Sequence, residues 1–208
     1  MGSDQVWNPG ASSSIEPYFL TFAPQGARTF SYASSFGVDK IGSSIMPKMK
    51  EWMSCIKAIS VRETSGVELV KRITGCDATL VCDPTLLLDK EDWKPYMKVV
   101  LNMPQRYVII YQLSASQTIV DLACRIAQEQ NIPVYRICKR AFWVEQNEGV
   151  KNILDAGPAE FLSLIANASC VVTDSFHGTA FSVNFNIPFY TVAVSYTHLP
   201  SPRDSTSS

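Results

Sequence analysis

Charge, histidine and long apolar runs are all scarce in this chain. Charged residues make up 18% of its 208 residues, and 18 lysines and arginines nearly balance 19 aspartates and glutamates, for a net charge of −1. That balance leaves no electrostatic footprint for nucleic acid or an anionic membrane, although a local basic pocket stays open. The longest apolar run, over residues 107–111, is far too short to span a bilayer. The opening residues do not read as a signal peptide, and the sixth position lacks the hydroxyl that myristoylation prefers. There is no Walker motif, no GxGxxG and no internal repeat. Only two histidines occur, His177 and one within the last few residues. None of the six cysteines (Cys55, Cys76, Cys82, Cys124, Cys138, Cys170) forms a CxxC pair. Without close cysteine pairs or a second usable histidine, a zinc site is not expected, and buried free thiols in a reducing cytoplasm are.

What is present is apolar material for a core. Hydrophobic residues make up 46%, which argues against general disorder and suits one large or two small domains. Short apolar strands alternate with helical stripes, the pattern of a parallel α/β sheet. A strand is expected over 29–33, then an amphipathic helix over 44–56 with Ile45, Met49, Trp52 and Met53 facing inward and Pro47 in its first turn. Residues 58–61 read as a second strand. The Ser65 and Glu68 offset reads as a capping box opening a helix that Gly75 closes. Residues 79–82 read as a third strand. Residues 90–105 are polar, contain Pro95 and Pro104, and lack a period, so the domain linker is placed there.

Strands over 107–113 and 132–137 follow, separated by a helix with Ser114 and Gln117 as a second capping-box pair. Residues 147–155 read as a short element with a loop. Gly157-Pro158 starts a helix with Phe161, Leu164, Ile165 and Ala168 inward. The last strand is expected over 187–194. After it nine of the fourteen residues from 195 to 208 are Ser, Thr or Pro.

Three places carry candidate chemistry. Cys170-Val171-Val172 reads as a buried strand running into Thr173-Asp174-Ser175-Phe176-His177-Gly178-Thr179, a sharp turn and helix start. Asp174 or Ser175 can cap that helix, Gly178 permits close backbone approach, and exposed amides at a helix start attract anions. His177 is either a capping or packing residue or a catalyst, its position at a strand end favouring chemistry. Arg62 likewise sits between a strand end and a helix start, where its guanidinium either grips a carboxylate or phosphate or pairs with Glu63 or an aspartate. Asp4, Gln5 and Asn8 either bind a polyol or satisfy their own turn. A basic trio, Arg136, Lys139 and Arg140, faces either a phosphate or solvent.

Five blocks together resemble the polysaccharide pyruvyl transferase family. They are Gly2-Ser3-Asp4-Gln5-Val6-Trp7-Asn8, Ser31-Tyr32-Ala33-Ser34-Ser35-Phe36-Gly37, Ile59-Ser60-Val61-Arg62-Glu63-Thr64-Ser65, Asp83-Pro84-Thr85-Leu86-Leu87 and Thr173-Asp174-Ser175-Phe176-His177-Gly178-Thr179. They occur in the family's order. The resemblance implies two Rossmann-like domains with parallel sheets facing a cleft, as in GT-B glycosyltransferases: a partial first domain over 1–90, a linker over 91–105 and a partial second domain over 106–193. It implies transfer of a pyruvyl group from phosphoenolpyruvate to sugar hydroxyls of a surface polysaccharide or its precursor. Donor and glycan or lipid-linked acceptor are then the partners, in the cytoplasm or at the inner membrane face, with no metal or organic cofactor. Relatives carry an Asn/Gly-rich turn before the first block, so the amino end is expected to be truncated. The stretch over 194–204 resembles a translated adaptor, so 194–208 is expected to be a non-native disordered tail. Many relatives also have an arginine where Ser175 stands, which shifts the expected anion binding towards Arg62 or the basic trio.

On this resemblance Arg62 holds the donor's anionic groups and His177 moves a proton or contacts phosphate. Asp4 and Gln5 serve the acceptor, and Ser175, Gly178 and Thr179 line the substrate. The alternatives are a GT-B glycosyltransferase using a nucleotide sugar, for which Glu145 and Glu148 are the weak ribose-binding candidates, and a non-catalytic anion or glycan binder.

Overall fold

Among the described residues every strand pairing runs parallel. The computed structural model describes residues 4–10, 14–138 and 147–192. It divides the chain into two units, Met1–Leu87 and Leu88–Ser208.

In the first unit, β1 (Ser60–Val61) pairs with β2 (Thr79–Leu80), and single bridges extend the array from Val61 to Ser34 and from Ser34 to Asp4. The strand expected over 29–33 is reduced to bridges at Phe30 and Ser34. Ala33 explains the break: it sits in the left-handed region at φ 53°, which a continuous strand cannot accommodate. Serine hydroxyls make up for the lost ladder. Ser60 Oγ donates to the Ser31 carbonyl at 2.8 Å, and Ser31 Oγ accepts from the Ser60 amide at 3.0 Å. α1 (Met46–Met53) buries Met49 and Met53 as its stripe predicts. α2 (Thr64–Thr74) buries Leu69, Val70 and Ile73 and ends at Gly75 with φ 80°. The capping box expected from Ser65 and Glu68 is not formed, because the helix starts two residues earlier with Glu63 as N-cap. These faces meet around Trp7, Phe19 and Phe36, with Trp7 stacked on Phe19 at 5.4 Å between ring centroids.

The second unit holds a five-stranded parallel sheet: β3 (Val108–Tyr111), β4 (Val134–Ile137), β5 (Val150–Ile153), β6 (Cys170–Thr173) and β7 (Phe189–Thr191). Their order across the sheet is β5-β4-β3-β6-β7. Alternate residues of β3 serve opposite faces. Val108 and Ile110 join the core under α4 (Gln117–Gln130). Tyr107 and Ile109 join the core under α5 (Pro158–Ala166) and α6 (Phe176–Asn184). Burial on both faces is why β3 and β6 read as uninterrupted apolar runs. Residues 90–105 form α3 (Lys90–Trp93), a short 3-10 turn and a loop, from which Trp93, Met97, Val100 and Met103 pack against the second unit's core.

Several local expectations change. Ser116 is the N-cap of α4, so Ser114 and Gln117 form no capping box. Arg136 lies inside β4, within the strand expected over 132–137, but its side chain does not face solvent: the residue is 3% exposed and donates from Nε to Asn152 Oδ1 at 2.9 Å. Lys139 and Arg140, with Glu145 and the expected tail over 194–208, fall outside the described residues. Cys55, Cys76 and Cys82 are exposed and only Cys170 is buried, so the expectation of generally buried thiols does not hold.

Candidate functional site

The sheet order places a topological switch point between β3 and β6. From β3 the chain steps one way to β4 and β5; it then returns to the other side of β3 for β6 and β7. In open α/β sheets the crevice outside the carboxyl ends at such a point is where ligands bind. The last residues of the two strands, Tyr111 and Thr173, are register partners there. The stretch containing His177 begins immediately after Thr173.

Each residue of that stretch has a definable job. Thr173 Oγ1 donates to the Tyr111 carbonyl across the strand pair and accepts from the Ser175 amide at 2.9 Å. Ser175, 2% exposed, is the N-cap of α6, its Oγ accepting from the Gly178 amide at 3.3 Å. Asp174 makes no cap. Its carboxylate reaches back to the chain after β3 and accepts from the amides of Leu113 and Ser114. Gly178 packs directly on Thr173: a Cβ there would stand 2.5 Å from Thr173 Oγ1. Thr179 donates to the Ser175 carbonyl at 3.1 Å and pairs with the Thr191 hydroxyl of β7 at 2.9 Å. His177 is the second residue of α6, half-buried, its ring edge-on to Phe176 at 5.4 Å between centroids. Ser175, His177, Gly178 and Thr179 are therefore brought together on one strand-to-helix turn, with Ser175 and Gly178 buried and engaged in holding it.

Arg62 follows β1 and precedes α2, so it too stands at a parallel strand's carboxyl end. Its Nη1 lies 3.1 Å from Asp83 Oδ2, and its Nε lies 3.8 Å from Glu63 Oε2. The Arg62 and Asp83 side chains are 7% and 1% exposed, so this is a buried pair rather than a surface one. Asp83 Oδ1 also accepts from the Thr85 amide at 3.0 Å and from its hydroxyl at 2.8 Å. Glu63 accepts from the Phe36 amide at 2.8 Å. Tyr32 belongs to the same edge: its phenol is pushed above its ordinary pKa, first by desolvation, then by Cys82 and Asp83. Sequence reasoning overlooked Asp83 as a specific partner. The signal was an Asp-Pro-Thr turn directly after the third strand, where a capping aspartate is fixed by its own turn.

The amino-terminal candidates engage mainly each other. Asp4 Oδ1 accepts from the Gln5 amide at 2.8 Å, and Gln5 Oε1 accepts from Asn8 Nδ2 at 3.0 Å. Asp4 and Gln5 are exposed, and the Asp4 carbonyl accepts from the Ser35 amide at 3.0 Å. The Gln5 side chain lies over Gly37, where any side chain would collide with it. Among the described residues, no group of three or more His, Cys, Asp or Glu is arranged to hold a metal ion. No helix among them is long and apolar enough to cross a membrane.

Compared with known families, residues 2–196 match the model of the polysaccharide pyruvyl transferases. The chain belongs to that family. The match covers all five blocks on which the resemblance rests, including both strand-end turns just described. Among solved structures, the chain is similar to a UDP-N-acetylglucosamine 2-epimerase from Rickettsia bellii. The two are 14% identical with a TM-score of 0.44, over 78% of this chain and 49% of that one. The chain thus spans about half the length of that neighbour. No curated protein matches it.

Proposed function

We propose that this chain carries out pyruvyl transfer from phosphoenolpyruvate to hydroxyls of a polysaccharide or its lipid-linked precursor. The observation that carries this reading is the family match across residues 2–196 together with the position of His177 at the switch point of the five-stranded sheet.

The chemistry has three demands. A proton must reach the donor's methylene carbon, which becomes a methyl group and leaves positive charge on the central carbon. A sugar hydroxyl adds to that carbon and gives up its proton. The carbon–oxygen bond to phosphate then breaks, and a second hydroxyl, losing its own proton, closes a ketal and leaves inorganic phosphate. A histidine suits the proton transfers because imidazole titrates near neutral pH. His177 is assigned that role. Arg62 is assigned to the donor's carboxylate or phosphate, for which a permanently charged planar fork is suited. Asp83 and Glu63 hold the guanidinium and offset part of its charge, so Arg62 acts here by geometry more than by net attraction. The amides at the start of α6 add partial positive charge beside the histidine. Asp4 and Gln5 are assigned to the acceptor, which would have to displace their local hydrogen bonds. The reaction would run in the cytoplasm or at the inner membrane face.

Incubating the full chain with phosphoenolpyruvate and a panel of glycan acceptors, while following phosphate release, tests this reading. Acceptor-dependent release supports it. Release seen only with a nucleotide sugar donor, or glycan binding without turnover, would replace it with glycosyl transfer or simple recognition.

A further inference from the structure

The carboxylate of Asp174 does something its place in the sequence does not announce. It stands directly before the N-cap of α6, yet it crosses the switch point to the chain beyond β3. Oδ1 accepts from the Leu113 amide at 2.6 Å and Oδ2 from the Ser114 amide at 3.1 Å. Thr173 crosses the same gap in parallel, donating to the Tyr111 carbonyl. Three hydrogen bonds from two adjacent residues therefore tie the end of β3 to the turn that carries His177.

Two of these bonds are made by an ionised acceptor, and such bonds are shorter and roughly twice as strong as neutral ones. Successive backbone amides in a turned segment also form a concavity that receives anions. At a switch point this is where a substrate phosphate or carboxylate would ordinarily settle. Here an internal carboxylate already fills it.

We propose that Asp174 is a positioning residue. It occupies the Leu113 and Ser114 amides, fixes the His177 turn against the β3 loop, and leaves the donor's anionic groups to be held elsewhere. The inference rests on the assignment of His177 to proton transfer. It predicts that loss of the carboxylate displaces the imidazole without removing an anion site, so kcat falls while the KM for phosphoenolpyruvate stays put.

The test is steady-state phosphate release by Asp174→Asn and Asp174→Gly in the full chain, with thermal melting recorded for each. Asparagine keeps the shape but turns an amino group towards an N–H. A misplacement of about 1 Å in a catalytic group can cost roughly 10²-fold, so kcat should fall by about 10- to 10²-fold with KM unchanged. Added formate, which can enter the gap left in Asp174→Gly and accept from the same two amides, should restore part of kcat. An unchanged kcat, or a rise in KM alone, overturns the proposal. Failure of both variants to fold, with no recovery in formate, makes Asp174 a residue of the fold and also overturns it. Absence of phosphoenolpyruvate turnover in the unmodified chain removes the functional reading and this inference with it. Turnover that survives both substitutions removes only the inference.

Discussion

Arg62 and Asp83 face each other across a buried contact of 3.1 Å, with Asp83 held from its other oxygen by Thr85. The geometry makes Arg62 both a structural partner and a candidate ligand for an anion, and the two roles separate by substitution. Removing one partner of a buried pair costs about 3–5 kcal/mol, because the other charge is left uncompensated. Asp83→Ala leaves only Glu63, at 3.8 Å, beside the guanidinium, so it should lower the unfolding free energy by up to about that amount. Urea unfolding followed through Trp7 and Trp52, which lie in the first unit, measures it. Arg62→Lys retains the charge but loses the planar fork, and should raise the KM for phosphoenolpyruvate more than it lowers stability. Unaltered kinetics in Arg62→Lys would leave the arginine only its structural role.

Gly178 is required by space. Its Cβ position is 2.5 Å from Thr173 Oγ1 and 3.1 Å from Thr173 Cβ, neither of which is the end of a flexible chain. Gly178→Ala must push the start of α6 off β6. Such overpacking costs about 1–3 kcal/mol. Because the displaced turn also carries His177, kcat should fall with it. Thr173→Ala in the same chain removes the Oγ1 clash but keeps Cβ and forfeits the bonds to the Tyr111 carbonyl and from the Ser175 amide, so it should recover only part of the lost stability. Calorimetric melting of the two variants checks this.

Much of this architecture is legible in the residues themselves, where one force dominates. β3 and the Cys170-Val171-Val172 part of β6 are buried on both faces, where apolar side chains suit best, so they stand out. Pro158 at the first helical turn and Gly75 at φ 80° mark helix ends by backbone chemistry alone. The failures come where a distant partner competes. Glu63 spends its carboxylate on the Phe36 amide and beside Arg62, and α2 begins after it rather than at Ser65. Ser114 gives its amide to Asp174, a residue 60 positions away, so the Ser114–Gln117 offset carries no cap. β5 reads only as an untyped short element within 147–155, because Val150-Lys151-Asn152-Ile153 lies at the sheet edge with none of its residues fully buried. The turn around His177 was readable, while the crossing made by Asp174 was not, since nothing local distinguishes a capping aspartate from one that reaches another strand.

Tyr107 offers a pH test of the second unit. Burial pushes its phenol up to about 12, and its hydroxyl donates to the Leu164 carbonyl at 2.9 Å. An unfolded tyrosine ionises near pH 10, so the folded state binds the proton more tightly. The stability this contributes is full below about pH 10 and is lost as pH rises towards about 12. Alkaline unfolding of the wild type should steepen across that window. Tyr107→Phe should lose about 0.5–1.5 kcal/mol at neutral pH and show a shallower alkaline limb.

Thiol reactivity should follow exposure. Cys55, Cys76 and Cys82 are exposed, whereas Cys170 is buried and its burial pushes the thiol up. The thiolate is the reactive form, so a maleimide or disulfide reagent should modify the first three in the native protein and reach Cys170 only on unfolding. Peptide mapping after brief labelling reads this directly. Early modification of Cys170 would mean that β6 opens readily, against its place beside the central strand.

The most direct test concerns His177. Phosphate release from phosphoenolpyruvate with a productive glycan acceptor should be compared between the full chain and His177→Ala, with melting and circular dichroism alongside. If the imidazole moves the protons, turnover should fall by roughly 10²- to 10⁴-fold while folding is preserved, because the ring is only half-buried in the first turn of α6. Turnover in His177→Ala equal to that of the unmodified chain would contradict the account.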